Sequence, residues 1–191
     1  TFVCEGRLGL STAAKYLAEF SSHVLADGRR AHARAGVAIV YNHYPFSRAY
    51  SLSEDLVRSA KRYIRQADPE GGVSALDWHF AVSGLLLPLD ELREREYEVP
   101  SGSLLMRPVR LSDPDADWRS WQTLTRIMAE FQKPEQAGGL WAGRRNKIMA
   151  LREVLRDGRD PVRLFLQGVE SDLPDIPGLS DMAAYGWQGG R

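Results

Sequence analysis

Apolar positions in the first half of the chain switch between strand-like and helix-like spacing, and the switches predict elements in turn. Residues 1–4, Thr-Phe-Val-Cys, are β-branched and aromatic and predict a strand. Glu5-Gly6-Arg7 reads as a turn, and Ser11 is placed to cap a helix. That helix has Ala13, Leu17, Phe20 and Val24 on one face, and Asp27-Gly28 ends it. Residues 29–34 are polar and basic and predict a loop. Residues 35–41 are continuously apolar, the mark of a strand covered on both faces. Asn42-His43-Tyr44-Pro45 breaks it.

A second helix follows, with two competing starts. Pro45 suits the first helical position, whereas Ser51 and Glu54 form an S-x-x-E capping box. The earlier start is preferred, because Phe46, Ala49, Tyr50, Leu56, Ala60 and Ile64 then make one stripe. Asp68-Pro69-Glu70-Gly71-Gly72 terminates the helix. Leu76, Trp78, Phe80 and Val82 alternate with Asp77, His79 and Ala81, which predicts a half-buried strand with Asp77 and His79 on its polar face, at the surface or a sheet edge. Strand, helix, strand, helix, strand over residues 1–83 predicts a sheet layered with helices, of α/β or α+β class.

Farther on, residues 89–94 predict a short helix. Residues 96–99 and 104–111 flank Pro100-Ser101-Gly102-Ser103 as a hairpin. Trp118, Trp121, Leu124 and Met128 have helical spacing. Residues 144–156 predict a helix with Ile148, Leu151 and Leu155 on one side, stopped by Gly158. Pro161 opens another helix through Gln167. The expected organisation is a partial sheet domain with a hairpin extension over residues 1–111, a helical region over 112–170 and a loose tail over 171–191, rich in glycine and proline.

Composition narrows the function. With 25 basic and 25 acidic residues there is no global field to attract a polyanion, so any anion site is local. No apolar run approaches the roughly 20 residues of a membrane span, so no membrane partner is expected. A single cysteine rules out an internal disulfide framework and suits a reducing, cytoplasmic setting. Cys4, in its apolar segment, reads as a core thiol. A chain that opens inside a strand without a starting Met reads as a fragment.

The four histidines lack metal-ligand spacing, and there is no G-x-S-x-G elbow to make a nucleophile for His79 and Asp77. Neither glycine-rich phosphate loop is present. Arg58, Lys61, Arg62 and Arg65 lie three and four apart and share a helix face, which could hold phosphate oxygens beside a cleft. A solvated face with Glu54 and Arg58 paired is the plainer reading. Arg144, Arg145 and Lys147 form a second basic cluster at the start of a late helix, where a solvated helix start is again the plainer reading. The tryptophans of that region, Trp118, Trp121 and Trp141, read as core packing. Two-metal chemistry needs converging carboxylates, and Asp77 is the one acidic residue well inside a predicted strand. No catalytic or metal-binding residue is therefore expected in this chain.

The order Gly36-Val37-Ala38-Ile39-Val40, Tyr44-Pro45-Phe46, Leu56 to Lys61 and Ser74 to His79 resembles the second, GGDEF-like palm domain of the large polymerase-like subunit of type III CRISPR effector complexes. The likeness covers roughly residues 1–83, and Arg145-Asn146-Lys147 with Ala150 to Glu153 resembles the helical region that follows this palm in some members. The resemblance implies a ferredoxin-like palm, here partial, with a C-terminal helical region. It implies a parent that joins ATP into cyclic oligoadenylates with Mg2+ or Mn2+, in a complex with other effector subunits and guide or target RNA. It also places the family's Gly-Gly-Asp-Asp metal turn just ahead of the strand that residues 1–4 resemble, so this piece alone is expected to be inactive. Lys61 matches the family's Ala-Lys lysine near the nucleotide phosphates, with Arg58 and Ser59 as weaker neighbours. The turn at residues 68–72 lacks the G-R-N of diguanylate cyclases, which argues against guanine recognition of that kind. A non-catalytic scaffold palm that docks protein subunits or RNA, through Arg144, Arg145, Lys147 and the nearby tryptophans, is the alternative.

Overall fold

The computed structural model describes residues 1–69, 72–81, 87–111, 118–175 and 186. In chain order the elements are α1 (Gly6–Ser22), β1 (Arg34–Val40), α2 (Phe46–Ala67), β2 (Ala75–Ala81), α3 (Leu89–Tyr97), β3 (Glu98–Val99), β4 (Gly102–Ser103), β5 (Val109–Arg110), α4 (Trp121–Gln132), α5 (Arg145–Val154) and α6 (Arg159–Val169). The fold is α+β. Two compact units share the chain: Thr1–Leu89 with Met106–Trp121, and Asp90–Leu105 with Gln122–Arg191.

In the first unit, β1 and β2 are parallel over seven residue pairs, from Arg34 opposite Ala75 to Val40 opposite Ala81, and α2 makes the crossover between them. β5 joins the far side of β2 antiparallel, with Val109 opposite Leu76, giving the order β1-β2-β5. Side chains alternate across a strand, and three glycines show what covers each face. A Cβ on Gly36 would lie 2.3 Å from the Ser53 carbonyl oxygen and 2.7 Å from the Val57 nitrogen, so α2 lies directly on that face. Gly9 and Gly6 of α1 approach Val37 and Ile39 on the other face. The continuous apolar run of β1 thus has its expected cause, a helix on each side.

The stripe on α2 holds in its later turns, where Leu56, Ala60 and Ile64 are buried against the sheet, and fails at its start, where Ala49 is half-buried and Phe46 and Tyr50 are exposed. Ala60 and Ile64 pack with Val73 and Ala75, and Tyr63 lies against them. The helix begins after Pro45, as preferred, and Ser51 sits inside it with its hydroxyl donating to the Ser47 carbonyl at 3.0 Å rather than capping.

Five local expectations are corrected. Residues 1–4 form no strand; Phe2, Val3 and Cys4 are exposed, and among the described residues no neighbour supplies the ladder bonds that make a strand. Cys4 is accordingly not a core thiol. Ser11 lies in the second turn of α1 and donates to the Leu8 carbonyl at 3.0 Å, because the helix starts earlier, at Gly6. The helix also stops earlier, at Ser22. Asp27-Gly28 then turns a small hairpin in which Leu25 donates to Arg29 at 2.8 Å and Val24 bridges Arg30, so Val24 leaves the helix face. Gly28 takes a φ of +79°, a left-handed conformation in which glycine pays no steric penalty. β2 is covered on both faces rather than one, and Asp77 and His79 are buried.

In the second unit β3 and β4 form the expected hairpin around Pro100-Ser101, with Glu98 opposite Ser103. The arm expected over residues 104–111 is divided, because Gly102–Ser103 completes the hairpin and Val109–Arg110 pairs with β2 in the first unit. The hairpin groups with the late helices rather than with the sheet. Trp141, Leu151 and Val162 form the core of this unit, with Phe131, Ile148, Phe165 and Leu166 around them. Gly139 permits a close chain approach there, since a Cβ would lie 1.9 Å from the Lys133 carbonyl oxygen. Gly158, at φ +94°, separates a 3-10 turn at Leu155–Asp157 from α6. Glu70-Gly71 of the predicted turn, Val82 of the predicted strand, and residues 176–185 and 187–191 of the predicted tail lie outside the described residues. Among the described residues no helix is long and apolar enough to cross a membrane.

Candidate phosphate-binding helix

The candidate site is the solvent side of α2. Consecutive residues are about 100° apart around a helix, so burying Leu56, Ala60 and Ile64 turns Arg58, Lys61, Arg62 and Arg65 outward, and all four are exposed. Arg58 reaches back one turn to Asp55 at 3.1 Å and Glu54 at 3.6 Å. Both pairs are exposed and add little stability, but they orient the guanidinium toward the start of the helix. Glu54 also accepts from the Tyr50 hydroxyl, and that hydrogen bond, followed by the carboxylate's charge, raises the phenol above its ordinary value.

Ser59 departs from the expected set. It is 5% exposed and lies about 200° around the helix from Lys61, facing the sheet. Lys61 and Arg58 share the outer face; Ser59 does not join them. The second predicted cluster also separates. Arg144 donates from Nη1 to the Val169 carbonyl at 2.6 Å and to the Ser171 hydroxyl at 2.8 Å, so it ties down the end of α6. Arg145 and Lys147 remain exposed at the start of α5. Trp141 is core, its indole N–H donating to the Asp172 carbonyl at 3.0 Å.

A buried polar layer under α2 was not foreseen. Pairing with Gly36 and Ala38 puts Asp77 and His79 on the sheet face that α2 covers. Asp77 is fully buried, and its Oδ1 accepts the Trp78 N–H at 2.8 Å. Arg107 donates from Nη2 to His79 Nδ1 at 3.4 Å. Since guanidinium has no acceptor, Nδ1 must be the unprotonated nitrogen. The Arg107 guanidinium also lies 5.7 Å from the Trp78 ring centre. Period-two alternation of polar residues cannot distinguish this layer from a wet face. The hint was the apolar neighbour β1, which already called for covers on both sides. Among the described residues no group of three His, Cys, Asp or Glu side chains is placed to hold a metal ion.

One titratable group near the start of β1 carries a pH prediction. Burial lowers the pKa of His32, and Arg34 and Arg30 push it the same way, against Asp68. Its Nδ1 is buried without a hydrogen-bond partner. The unfolded chain takes up this proton near pH 6.5 while the folded chain resists it, so stability is fully present above about pH 6.5 and declines as the pH falls toward the lower folded value. Urea midpoints at pH 7.5 and 5.5 should differ less in His32→Gln than in the parent chain. An unchanged difference would assign the acid sensitivity to other groups.

Compared with known proteins, the chain matches no family model and no curated protein.

Proposed function

We propose that this chain is part of a nucleotide-binding palm of a CRISPR-type defence protein, whose intact parent makes cyclic oligoadenylates from ATP with Mg2+ or Mn2+. The observation that carries the reading is the placement of the Ala60-Lys61 pair. Ala60 is wholly buried against the sheet, which directs Lys61 outward on a helix that joins two parallel strands bearing the other matching residues. The pair lies inside α2, which continues to Ala67, rather than at its end. Lys61 supplies a positive charge to phosphate oxygens, with Arg58 available if it exchanges its carboxylate partners for phosphate. Asp77 lies in the core with its Oδ1 accepting from the Trp78 N–H, and in this reading the carboxylates of the reaction come from elsewhere in the parent.

Titration calorimetry with ATP and Mg2+ tests this. Lys61→Ala should weaken binding about ten-fold or more, the scale of one charge-assisted hydrogen bond, while Ser59→Ala should act on stability instead. The chain alone should turn over no ATP. Absence of ATP binding at millimolar concentration, or product formation by this chain alone, would overturn the reading.

The scaffold reading has one observation in its favour. β1 stands at the end of the described sheet, so its outer side has no neighbouring strand among the described residues, an arrangement that suits strand addition. A tight protein partner combined with no nucleotide affinity would favour it.

A further inference from the structure

The outward stripe of α2 does not consist of charge alone. Phe46 and Tyr50 lie one turn apart at its start, with ring centres 6.5 Å apart and planes tilted by 32°. They are 64% and 42% exposed, although aromatic side chains ordinarily dominate cores and interfaces. Tyr41, at the end of β1, is exposed as well, at 65%. From Tyr50 the same face continues through Glu54, Arg58, Lys61 and Arg65 at spacings of four, four, three and four. Tyr50 and Arg65 are about 22 Å apart along the axis. The helix thus carries exposed rings at its start, Tyr50 on the outward face and Phe46 at the angle of the buried Ile64, and exposed cations farther along.

We infer that this stripe binds a single strand of nucleic acid, with bases stacking on Phe46 and Tyr50 and the phosphate backbone running along Lys61 and Arg65. Both halves of the surface favour that ligand over others. Exposed ring faces accept any base, and a row of cations follows a phosphodiester backbone; this is the combination used by proteins that hold single strands without reading sequence. Duplex would present its phosphates but not its base faces. An acidic peptide would satisfy the cations and leave the rings unused. Glu54 and Asp55 lie between the two halves and share one cation, Arg58, which offsets one of their two charges, so the phosphates run along Lys61 and Arg65 beyond them. The length of the stripe suits about four nucleotides, the lower end for such sites. The inference deepens the phosphate reading of α2 by naming a strand, rather than only a free nucleotide, as its ligand.

The test is fluorescence anisotropy of the full chain with a fluorescein-labelled single-stranded RNA of about eight nucleotides, which spans the site, run beside ATP calorimetry. Phe46→Ala with Tyr50→Ala should weaken RNA binding about ten-fold or more and leave ATP binding unchanged. Both residues are on the surface, and an unchanged circular dichroism spectrum confirms the variant's fold. With two phosphates neutralised, log K should fall against log salt with a slope of about −1.4, and Lys61→Ala should reduce it to about −0.7. No RNA binding at about 100 μM protein, the weak end of non-specific affinity, overturns the inference. So does RNA binding indifferent to the two aromatic changes, a preference for duplex, or self-association that Phe46→Ala abolishes in the absence of RNA. RNA binding kept while ATP binding is absent would defeat the nucleotide reading alone; the converse would defeat this one alone.

Discussion

Gly36→Ala should destabilise the first unit by about 3 kcal/mol or more, beyond the ordinary range for overpacking by one methyl group. The added carbon would meet the Ser53 carbonyl oxygen at 2.3 Å, the Val57 nitrogen at 2.7 Å and Leu56 Cβ at 2.8 Å. Two of these are backbone atoms of α2, so no rotamer change relieves them. The helix must move off β1, and that motion also disturbs the packing of Leu56 and Ala60, which are fully buried. Urea unfolding followed by circular dichroism measures the loss. Gly28→Ala is the control: its φ of +79° carries a conformational cost of about 1 kcal/mol, but nothing lies within 4 Å of the new carbon. Equal effects at the two positions would mean that α2 does not rest on β1 as described. Displacement of α2 would also carry Lys61 away, so Gly36→Ala should lower ATP affinity without touching a ligand.

Trp141→Ala should have the largest effect on the second unit, about 3–5 kcal/mol, the usual range for truncating a buried large aromatic. The indole is 3% exposed, its ring centre lies 5.3 Å from that of Phe131, and its N–H reaches the Asp172 carbonyl. Leu151 and Val162 complete the cluster, so the cavity opens where two helices meet. Trp141→Phe separates the contributions. It keeps most of the apolar contact and loses the hydrogen bond, for about 1 kcal/mol from the bond plus the smaller volume lost. If alanine cost no more than phenylalanine by denaturant titration, the ring would not be the centre of this core.

Neither change is aimed at the outer face of α2, whereas Lys61→Ala and the Phe46 and Tyr50 changes are. Binding can therefore be altered without touching either core, whereas Gly36→Ala, through the position of α2, should alter both. Arg144 belongs with the first kind, because its guanidinium is used within the second unit on Val169 and Ser171. Arg145 and Lys147 stay exposed and can be altered at small structural cost.

Periodicity was sufficient for elements whose partners impose a strong and continuous pattern. The unbroken apolar run of β1 required cover on both faces, and Leu56, Ala60 and Ile64 marked the inner face of α2, from which the outward direction of Lys61 followed. Gly158 and the apolar spacing of Ile148 and Leu151 located the end of one late helix region and its inward face in the same way. These are one-dimensional signals, because a helix or strand repeats its environment at a fixed period.

Three-dimensional partners decided the rest. Residues 1–4 have strand composition and no strand, since a strand exists only by pairing. Asp77 and His79 look polar and outward in a list of alternating residues, yet α2 covers them and Arg107, 28 residues beyond His79, supplies a buried partner. Ser59 was grouped with Lys61 by adjacency, and helix rotation sends the two side chains to opposite sides. The hairpin near Pro100 was legible, but that residues 109 and 110 would leave it for β2 was not, because strand choice depends on which edge is open elsewhere. By itself the sequence determined a sheet layered with helices, the two helices that flank β1 and the basic face of α2. Only the tertiary structure decided which polar residues are buried and which cations stay available, because burial depends on what comes to lie above a residue, and a neighbour distant in the chain leaves no period in the sequence.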